Sequence, residues 1–373
     1  MFGYMIMIPF NDLSRTETVS ENFFEGLKEI IRSGLYLSGT HTKNFENSLS
    51  DYLNVPYVKA LSSGTSALVL ALKSLSISEN SDVLITANSG AYSRIAVEIV
   101  NLNPVYVDVE LDGLLTVKAL EKAATKNAKA LIVTHLYGQV GEIDEIYQFC
   151  KKNEIYLIED CAQALGAKRN GRFAGSWGDV SAFSFYPTKN LGAMGDAGAI
   201  ATSSHSLHEK IQKLSQYGWG SKYSIEVKGG ENSRIDEIQA FILSQRLPDL
   251  DTHNQRRRTI WRRYKQAFEG STYRLIGSPT ESFVAHLAVV DANTDRDVFR
   301  EFLDTKGIQT AIHYPIPDHL QIGFPGSHLS LPNTEFLAKS IFSLPLFPEL
   351  TEAEIEYVCK SILEFTSNFK NKR

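Results

Sequence analysis

Cysteine is scarce in this chain. Cys150, Cys161 and Cys359 are odd in number and scattered among 373 residues, which leaves neither a disulfide framework nor a zinc motif. A reducing, cytoplasmic setting is the expectation. A charge excess is missing as well. Lys and Arg total 38 against 43 Asp and Glu, a net charge of −5, so the chain lacks the electrostatic footprint of a nucleic-acid binder. No run approaches the ~18 apolar residues of a membrane span, and the protein reads as soluble. The apolar start, Met1 to Phe10, has no basic residues ahead of it, no cleavage-site pattern, and a break at Pro9; it fits neither a signal peptide nor a span. Met5 and Met7 are alternative starts. Of the nine histidines, His205 and His208 stand three apart with no third ligand at convincing spacing, so no metal is expected.

What is present is ordinary globular composition, 43% hydrophobic and 22% charged, at a length that fits about two to three domains. Helical spacing through Phe23, Phe24, Leu27, Ile30 and Ile31 stops at Ser33-Gly34, and a second amphipathic segment runs through Phe45, Leu49 and Leu53. From Tyr57 onward, short apolar runs alternate with helical patterns. Strands are expected at Tyr57–Leu61, Asp82–Ala87, Val105–Val109, Ala130–Thr134 and Ile155–Asp160. Helices are expected at Ala67–Leu75, Ile95–Val100, Val117–Ala124 and Ile143–Lys152. Repeated strand–helix units with continuously apolar strands predict an α/β fold, a parallel sheet covered by helices on both faces. Ligands of such sheets sit beyond the carboxyl ends of the strands.

One stretch concentrates the chemistry: Ser181-Ala182-Phe183-Ser184-Phe185-Tyr186-Pro187-Thr188-Lys189-Asn190-Leu191-Gly192. Val180 to Phe185 reads as a buried strand, and Pro187 ends it because it cannot donate to a ladder. Lys189 follows at once, in a glycine-rich loop. A lysine held in apolar surroundings loses its proton and becomes a nucleophile. Alone, Lys189 reads as a solvated surface lysine, the commoner case. Ser62-Ser63-Gly64-Thr65-Ser66 precedes an apolar helix, either as a phosphate seat or as a plain helix cap. Asp160 closes another strand. A carboxylate, a phosphate seat and a nucleophilic lysine on one sheet edge are what pyridoxal phosphate requires.

Five separated segments in order then make the chain resemble the DegT/DnrJ/EryC1/StrS family of pyridoxal phosphate-dependent sugar aminotransferases over nearly its whole length. They are Leu61 to Leu68, Glu159-Asp160-Cys161-Ala162-Gln163-Ala164, Ser184 to Gly192, Asn232-Ser233-Arg234-Ile235-Asp236-Glu237-Ile238-Gln239-Ala240, and Ile312-His313-Tyr314-Pro315. The resemblance implies a fold-type-I transferase-like architecture, with a large domain at residues 1–247 and a small C-terminal α+β domain at 248–373. It implies that Lys189 forms the Schiff base and shuttles protons. Asp160 is then the partner of the pyridinium nitrogen and Gln163 the contact of the ring hydroxyl. Gly64, Thr65 and Ser184 become phosphate ligands. Asn232 resembles the asparagine that reaches the phosphate of a neighbouring subunit, which implies a homodimer with shared sites. His313 and Tyr314 match the segment near the sugar substrate.

Two departures stand out. The family's stacking aromatic falls in a segment such as Pro-Ala-Asn-Thr-Tyr, whereas this chain has Thr86-Ala87-Asn88-Ser89-Gly90-Ala91-Tyr92-Ser93; Tyr92 is the candidate for the displaced ring, against a buried strand-edge tyrosine. The usual Gly-Asp-Gly-Gly reads Gly195-Asp196-Ala197-Gly198, which is strained by about 1 kcal/mol if Ala197 requires a positive φ.

Past Pro248 the alternation breaks. A long helix carrying Arg256-Arg257-Arg258 and Arg262-Arg263, with Ile260, Trp261 and Tyr264 interleaved, reads as an interdomain helix with a solvated basic face. Phe283–Val290 and Ile308–His313 are expected strands; Arg296–Lys306 and Glu352–Phe369 are expected helices.

The implied reaction moves an amino group from L-glutamate to a nucleotide-linked keto-deoxysugar, for an amino sugar of a surface polysaccharide such as lipopolysaccharide O-antigen or of a glycosylated metabolite. Three other readings stand beside it. A sugar dehydratase of the same family replaces the lysine with histidine, which Lys189 argues against. A cyclitol aminotransferase acting on a keto-inositol for an aminoglycoside is also compatible with the sequence, and a substrate panel separates the two. A non-catalytic regulatory relative predicts loss of the lysine or the aspartate, and both are present.

Overall fold

The computed structural model describes residues 7–16, 21–324 and 329–370, so the apolar run from Met1 to Ile6 lies outside the described residues. Helices α1 (Glu21–Ser33) and α2 (Thr40–Leu53) lead into strand β1 (Tyr57–Leu61) and α3 (Gly64–Ser74). Then follow β2 (Asp82–Thr86), α4 (Tyr92–Ile99), β3 (Asn103–Val107), α5 (Val117–Ala123), β4 (Ala128–Thr134), α6 (Ile143–Lys152) and β5 (Tyr156–Asp160). A small hairpin, β6 (Lys168–Arg169) with β7 (Arg172–Phe173), precedes β8 (Val180–Ser184), β9 (Gly198–Thr202) and α7 (His205–Leu214). A second hairpin, β10 (Trp219–Ser221) with β11 (Ser224–Ile225), leads to α8 (Glu237–Arg246) and the long α9 (Leu250–Ala267). The remainder comprises β12 (Arg274–Leu275), β13 (Ala288–Asp291), α10 (Arg296–Thr305), α11 (Pro332–Ser340), β14 (Ile341–Leu344) and α12 (Glu352–Lys370).

Seven strands form the central sheet in the order β1-β9-β8-β5-β4-β2-β3. The pairs β8–β5, β5–β4, β4–β2 and β2–β3 are parallel, while β9 runs antiparallel to both neighbours. The sheet is therefore mainly parallel, as the sequence predicts, with one reversed strand that its pattern does not reveal. Strand β2, Asp-Val-Leu-Ile-Thr, is buried at all five positions, which requires helices on both faces. The helices answer with one apolar stripe each. In α6, Ile143, Ile146 and Cys150 face inward, with Asp144 and Glu145 in the first turn and Lys151 and Lys152 in the last. That charge order complements the helix dipole.

A separate core surrounds the antiparallel sheet β12-β13-β14. It takes Ile260, Trp261 and Tyr264 from α9 and Ile355, Val358, Ile362 and Phe365 from α12. Phe299 stacks on Phe365 with ring centroids 3.9 Å apart. Ile8 belongs to this core too, bridging to Ile308.

Three expectations are corrected here. Residues 283–287 are not strand: Ala285 sits at φ 49°, and Val284 and His286 donate instead to the carbonyls of Gly138 and Tyr137, tying the second core to the first. Ile308–His313 forms only single bridges, at Ile308 and Ala311, because its partners there are one residue each of two different segments. The run of arginines in α9 is not a solvated face throughout, since Arg257 is 5% exposed.

Candidate active site

All six parallel strands of the sheet end on one edge, and the chemistry collects beyond it. Strand β8 stops at Ser184, one residue before Phe185 donates to the Ala197 carbonyl. The chain then turns tightly, Lys189 N donating to Tyr186 O at 2.8 Å and Ala193 N to Phe185 O at 2.8 Å. This turn brings Lys189 into a cavity of about 550 Å³, whose lining includes Gly64, Thr65, Tyr92, Asp160, Gln163 and Ser184. Burial holds the Lys189 ammonium below its ordinary range, and the Asp160 charge opposes that shift only in part. A wider groove of about 880 Å³ follows the β3 edge, with Lys118 and Lys122 on its wall, but none of these residues reaches it.

The opposite wall is a backbone cradle. Ser63 caps α3, its hydroxyl accepting from Ser66 N at 3.1 Å, so Gly64 and Thr65 form the first helical turn, whose N–H groups have no acceptor within the helix. The fit here is close. A Cβ on Gly64 would lie 2.7 Å from the Cβ of Ser184, and one on Gly198 would lie 2.4 Å from the carbonyl carbon of Ser63. Only glycine allows β1, β8 and β9 to converge at that point. Ala197, by contrast, is not among the positive-φ residues, so the departure there carries no backbone strain.

Asp160 ends β5 at the cavity floor. Its Oδ1 accepts from Ala162 N at 3.1 Å, and burial raises its carboxyl against the pull of that bond and of the Lys189 charge. Behind it lies a pair that sequence reading missed. Glu159 is fully buried and accepts from Gly175 N, Trp177 N, Gly178 N and Ser181 Oγ, and from His135 at 2.9 Å. The His135 backbone N–H in turn donates to the Asp160 carbonyl at 3.1 Å. With Cys161 these side chains could face a metal ion, but the Glu159 oxygens are already spent on five donors. Gln163 is buried; its Oε1 accepts from Tyr137 N at 2.6 Å and its Nε2 donates to the Tyr314 hydroxyl at 3.3 Å.

Tyr92 opens α4 and is 49% exposed on the cavity rim, not buried at a strand edge. Its turn is strained, Ala91 sitting at φ 65°. The support comes from far along the chain: Ala91 N donates to Asp318 Oδ1 at 2.8 Å, and Asp318 N donates to the Ala87 carbonyl at 2.8 Å. Asp318 thus caps a helix whose own N-cap residue, Ala91, offers no side-chain oxygen. Burial pushes its carboxyl up to about 7, against that amide and the Arg94 charge. A raised value means that ionisation costs stability, a cost absent below the ordinary range near 3.8 and complete above about 7. Asp318→Asn keeps the acceptor and removes the charge. Its thermal midpoint should exceed the parent's, by more at pH 8 than at pH 5.5; an equal or opposite difference would refute the assignment.

His313 and Tyr314 line the cavity. His313 Nδ1 lies 3.0 Å from Ser343 Oγ, its ring stacks on Phe10, and burial pushes it down to about 4. Asn232 is not with them: it is exposed, accepts from Arg234 Nε at 3.1 Å, and is not among the cavity residues. Two further lining residues, His286 and Arg257, escaped sequence reading. His286 lies 2.8 Å from Asn190 Oδ1, and burial beside Lys189 and Arg257 holds its ring neutral. Neither carries a local signal, since both are brought in by packing of the second core.

Known proteins resemble this chain over nearly its whole length. The profile of the DegT/DnrJ/EryC1/StrS aminotransferase family matches residues 17–363. The pleiotropic regulatory protein of Geobacillus stearothermophilus is 34% identical over 371 residues, covering 97% of this chain and 99% of its own. The dTDP-3-amino-3,4,6-trideoxy-alpha-D-glucose transaminase of Streptomyces venezuelae is 35% identical over 369 residues, covering 96% of each. Among solved structures, S. venezuelae DesV in complex with ketimine intermediate superposes with a TM-score of 0.92 at 35% identity, over 96% of this chain and 98% of that one.

Proposed function

We propose that this chain, which belongs to the DegT/DnrJ/EryC1/StrS aminotransferase family, moves the amino group of L-glutamate to the ketone carbon of a nucleotide-linked keto-deoxysugar. It is a pyridoxal phosphate-dependent sugar aminotransferase. The observation that carries the residue assignment is the pairing of Lys189, held below its ordinary pKa, with Asp160 in one cavity.

The residues present fit the cofactor. The Gly64–Ser184–Gly198 cradle, which a Cβ would fill, suits a phosphate at a helix N-terminus. Asp160 suits a protonated ring nitrogen, and Tyr92 on the rim suits a ring face. When bound, the cofactor supplies an electron sink for the carbon that loses or gains the amine. Lys189 then holds and moves the proton at that carbon, burial easing the loss of its own proton. Asp160 would hold the charge of the ring nitrogen, while His135, bonded to Glu159 and to the Asp160 carbonyl, fixes the backbone beneath it and Gln163 holds the Tyr314 hydroxyl. His313, neutral near pH 7, accepts or donates a hydrogen bond to a sugar hydroxyl without adding charge.

A homodimer is part of the proposal. Asn232, exposed and outside the lining of its own cavity, is read as the residue that reaches a neighbour's phosphate. Phe24, Ile31, Leu35 and Tyr36 leave an apolar surface along and after α1, as a partner face requires. A division of the chain at residues 247 and 248, a cytoplasmic setting, and a role in amino sugars for a surface polysaccharide such as O-antigen or for a glycosylated metabolite complete the reading. The intact lysine–aspartate pair separates it from a non-catalytic relative.

The decisive experiment is the absorption spectrum of the protein with pyridoxal phosphate, before and after L-glutamate. A visible band that moves to shorter wavelength on adding glutamate is expected, and restoration by a keto-sugar nucleotide identifies the acceptor. A folded protein with no visible band would defeat the lysine assignment. The cradle makes its own prediction. Gly64→Ala forces a methyl group against Ser184, at a strain of about 1–3 kcal/mol, and should weaken cofactor binding roughly tenfold in a spectroscopic titration.

A further inference from the structure

We propose that Arg257 is a second anion seat in the cavity and takes the carboxylate of the amino donor. This rests on the aminotransferase reading above.

Arg257 lies in the middle of a basic run yet behaves unlike its neighbours. Arg256 pairs with Glu352 at 2.7 Å, and Arg258 donates to Gln255. Arg257 turns inward, 5% exposed, and lines the cavity. One of its terminal nitrogens donates to the carbonyls of Leu346 at 2.8 Å and His286 at 3.4 Å, while its buried Nε has no partner. No carboxylate among the described residues lies within ion-pair distance of it. Glu349 acts on its charge only from beyond that distance, and a buried cation with no paired carboxylate is costly unless something completes it. Burial does lower its proton affinity, to about 10, and it stays charged near neutral pH.

The other basic groups of the cavity do not share this role. His286 and His313 are held neutral, and Lys189 is depressed by burial. Arg257 is thus the permanent positive charge of the lining. It is also separate from the phosphate cradle, which is built from β1, α3, β8 and β9, whereas Arg257 is held by loops of the second core. Its link to the lysine is short: the His286 carbonyl meets Arg257, and the His286 ring meets Asn190, the residue after Lys189.

The chemistry of the two substrates selects between them. An α-amino acid carries its carboxylate on the reacting carbon itself. A nucleotide-linked sugar carries its phosphates on the anomeric carbon, with ring atoms between them and a ketone elsewhere on the ring. A buried guanidinium close to the lysine therefore meets the donor's carboxylate, and its planar fork binds such a group through paired hydrogen bonds.

The test uses the cofactor-loaded enzyme. Arg257→Gln should raise the KM for L-glutamate roughly 10–100-fold, the range of a lost charge-assisted bond. The KM for the keto-sugar nucleotide, measured from the amino-loaded enzyme, should stay within about twofold. Binding of glutarate, a dicarboxylate with no amine to transfer, should weaken in parallel by calorimetry. Arg257→Lys, which keeps the charge and loses the fork, should fall between the two and serves if the glutamine variant does not fold. A raised KM for the sugar nucleotide with an unchanged KM for glutamate would overturn the proposal in favour of an acceptor phosphate. Parent-like values for both substrates and for glutarate would reduce Arg257 to a packing residue. Should the parent itself not use L-glutamate, the glutarate titration still reads the seat, so the two failures are distinguishable.

Discussion

Lys189→Ala is expected to abolish amino transfer, with a fall in kcat of about 10⁴-fold or more, while leaving the protein at least as stable as the parent. The first half follows from the role proposed for the amine, the cavity's nucleophile and proton carrier. The second follows from electrostatics. The lysine sits where burial disfavours its charge, so the native state gains nothing from that ammonium that a methyl group would forfeit. Activity assays and thermal melts on one preparation check both halves. Normal turnover would sink the mechanism; a large loss of thermal stability would mean that the Asp160–Lys189 attraction outweighs burial.

Asp160→Asn should lower kcat by roughly 10²–10⁴-fold, the usual range for a group that governs proton placement. Asparagine is close to isosteric and can keep the 3.1 Å bond from Ala162 N, so geometry is conserved and charge alone is lost. The ring nitrogen then has no anion to hold its proton. Cofactor binding is expected to weaken far less than turnover, because the phosphate cradle is untouched. Rates near the parent's would show that the ring nitrogen needs no charged partner in this enzyme.

Much of this was legible in the chain because it is local. A strand announces itself by apolar residues and a Pro that ends it, and Lys189, Asp160, Gln163, Gly64, Thr65 and Ser184 all flank such strands. They reach one cavity because parallel strands share a carboxyl edge. The reversed strand β9 was invisible for the same reason: Gly-Ala-Ile-Ala-Thr is short, small and buried, and nothing in its pattern records direction. What escaped was long-range. Arg257 looks like one more basic residue until the second core turns it inward. Asp318 reads as a loop aspartate, and only the fold reveals that it caps a helix 227 positions away at Ala91. His286 falls in a segment whose apolar run suggests a strand; its backbone instead pairs with the loop at Tyr137, and that detour is what delivers the ring to the lysine loop.

The bridge between Ile8 and Ile308 has a consequence for how the chain comes into being. Ile8 is fully buried in a core otherwise drawn from residues 260–365, so it is synthesised well before every residue it packs against. At about 5–20 residues per second, the intervening 300 positions amount to roughly 15–60 s on the ribosome. The central sheet, complete by Thr202, has its strands in hand long before, whereas the second core closes only after Phe365 has been made. During that interval an apolar segment that also carries Phe10 and Asn11 to the catalytic cavity stays unpaired. The nascent chain thus holds this segment exposed until residues 260–365 have been made.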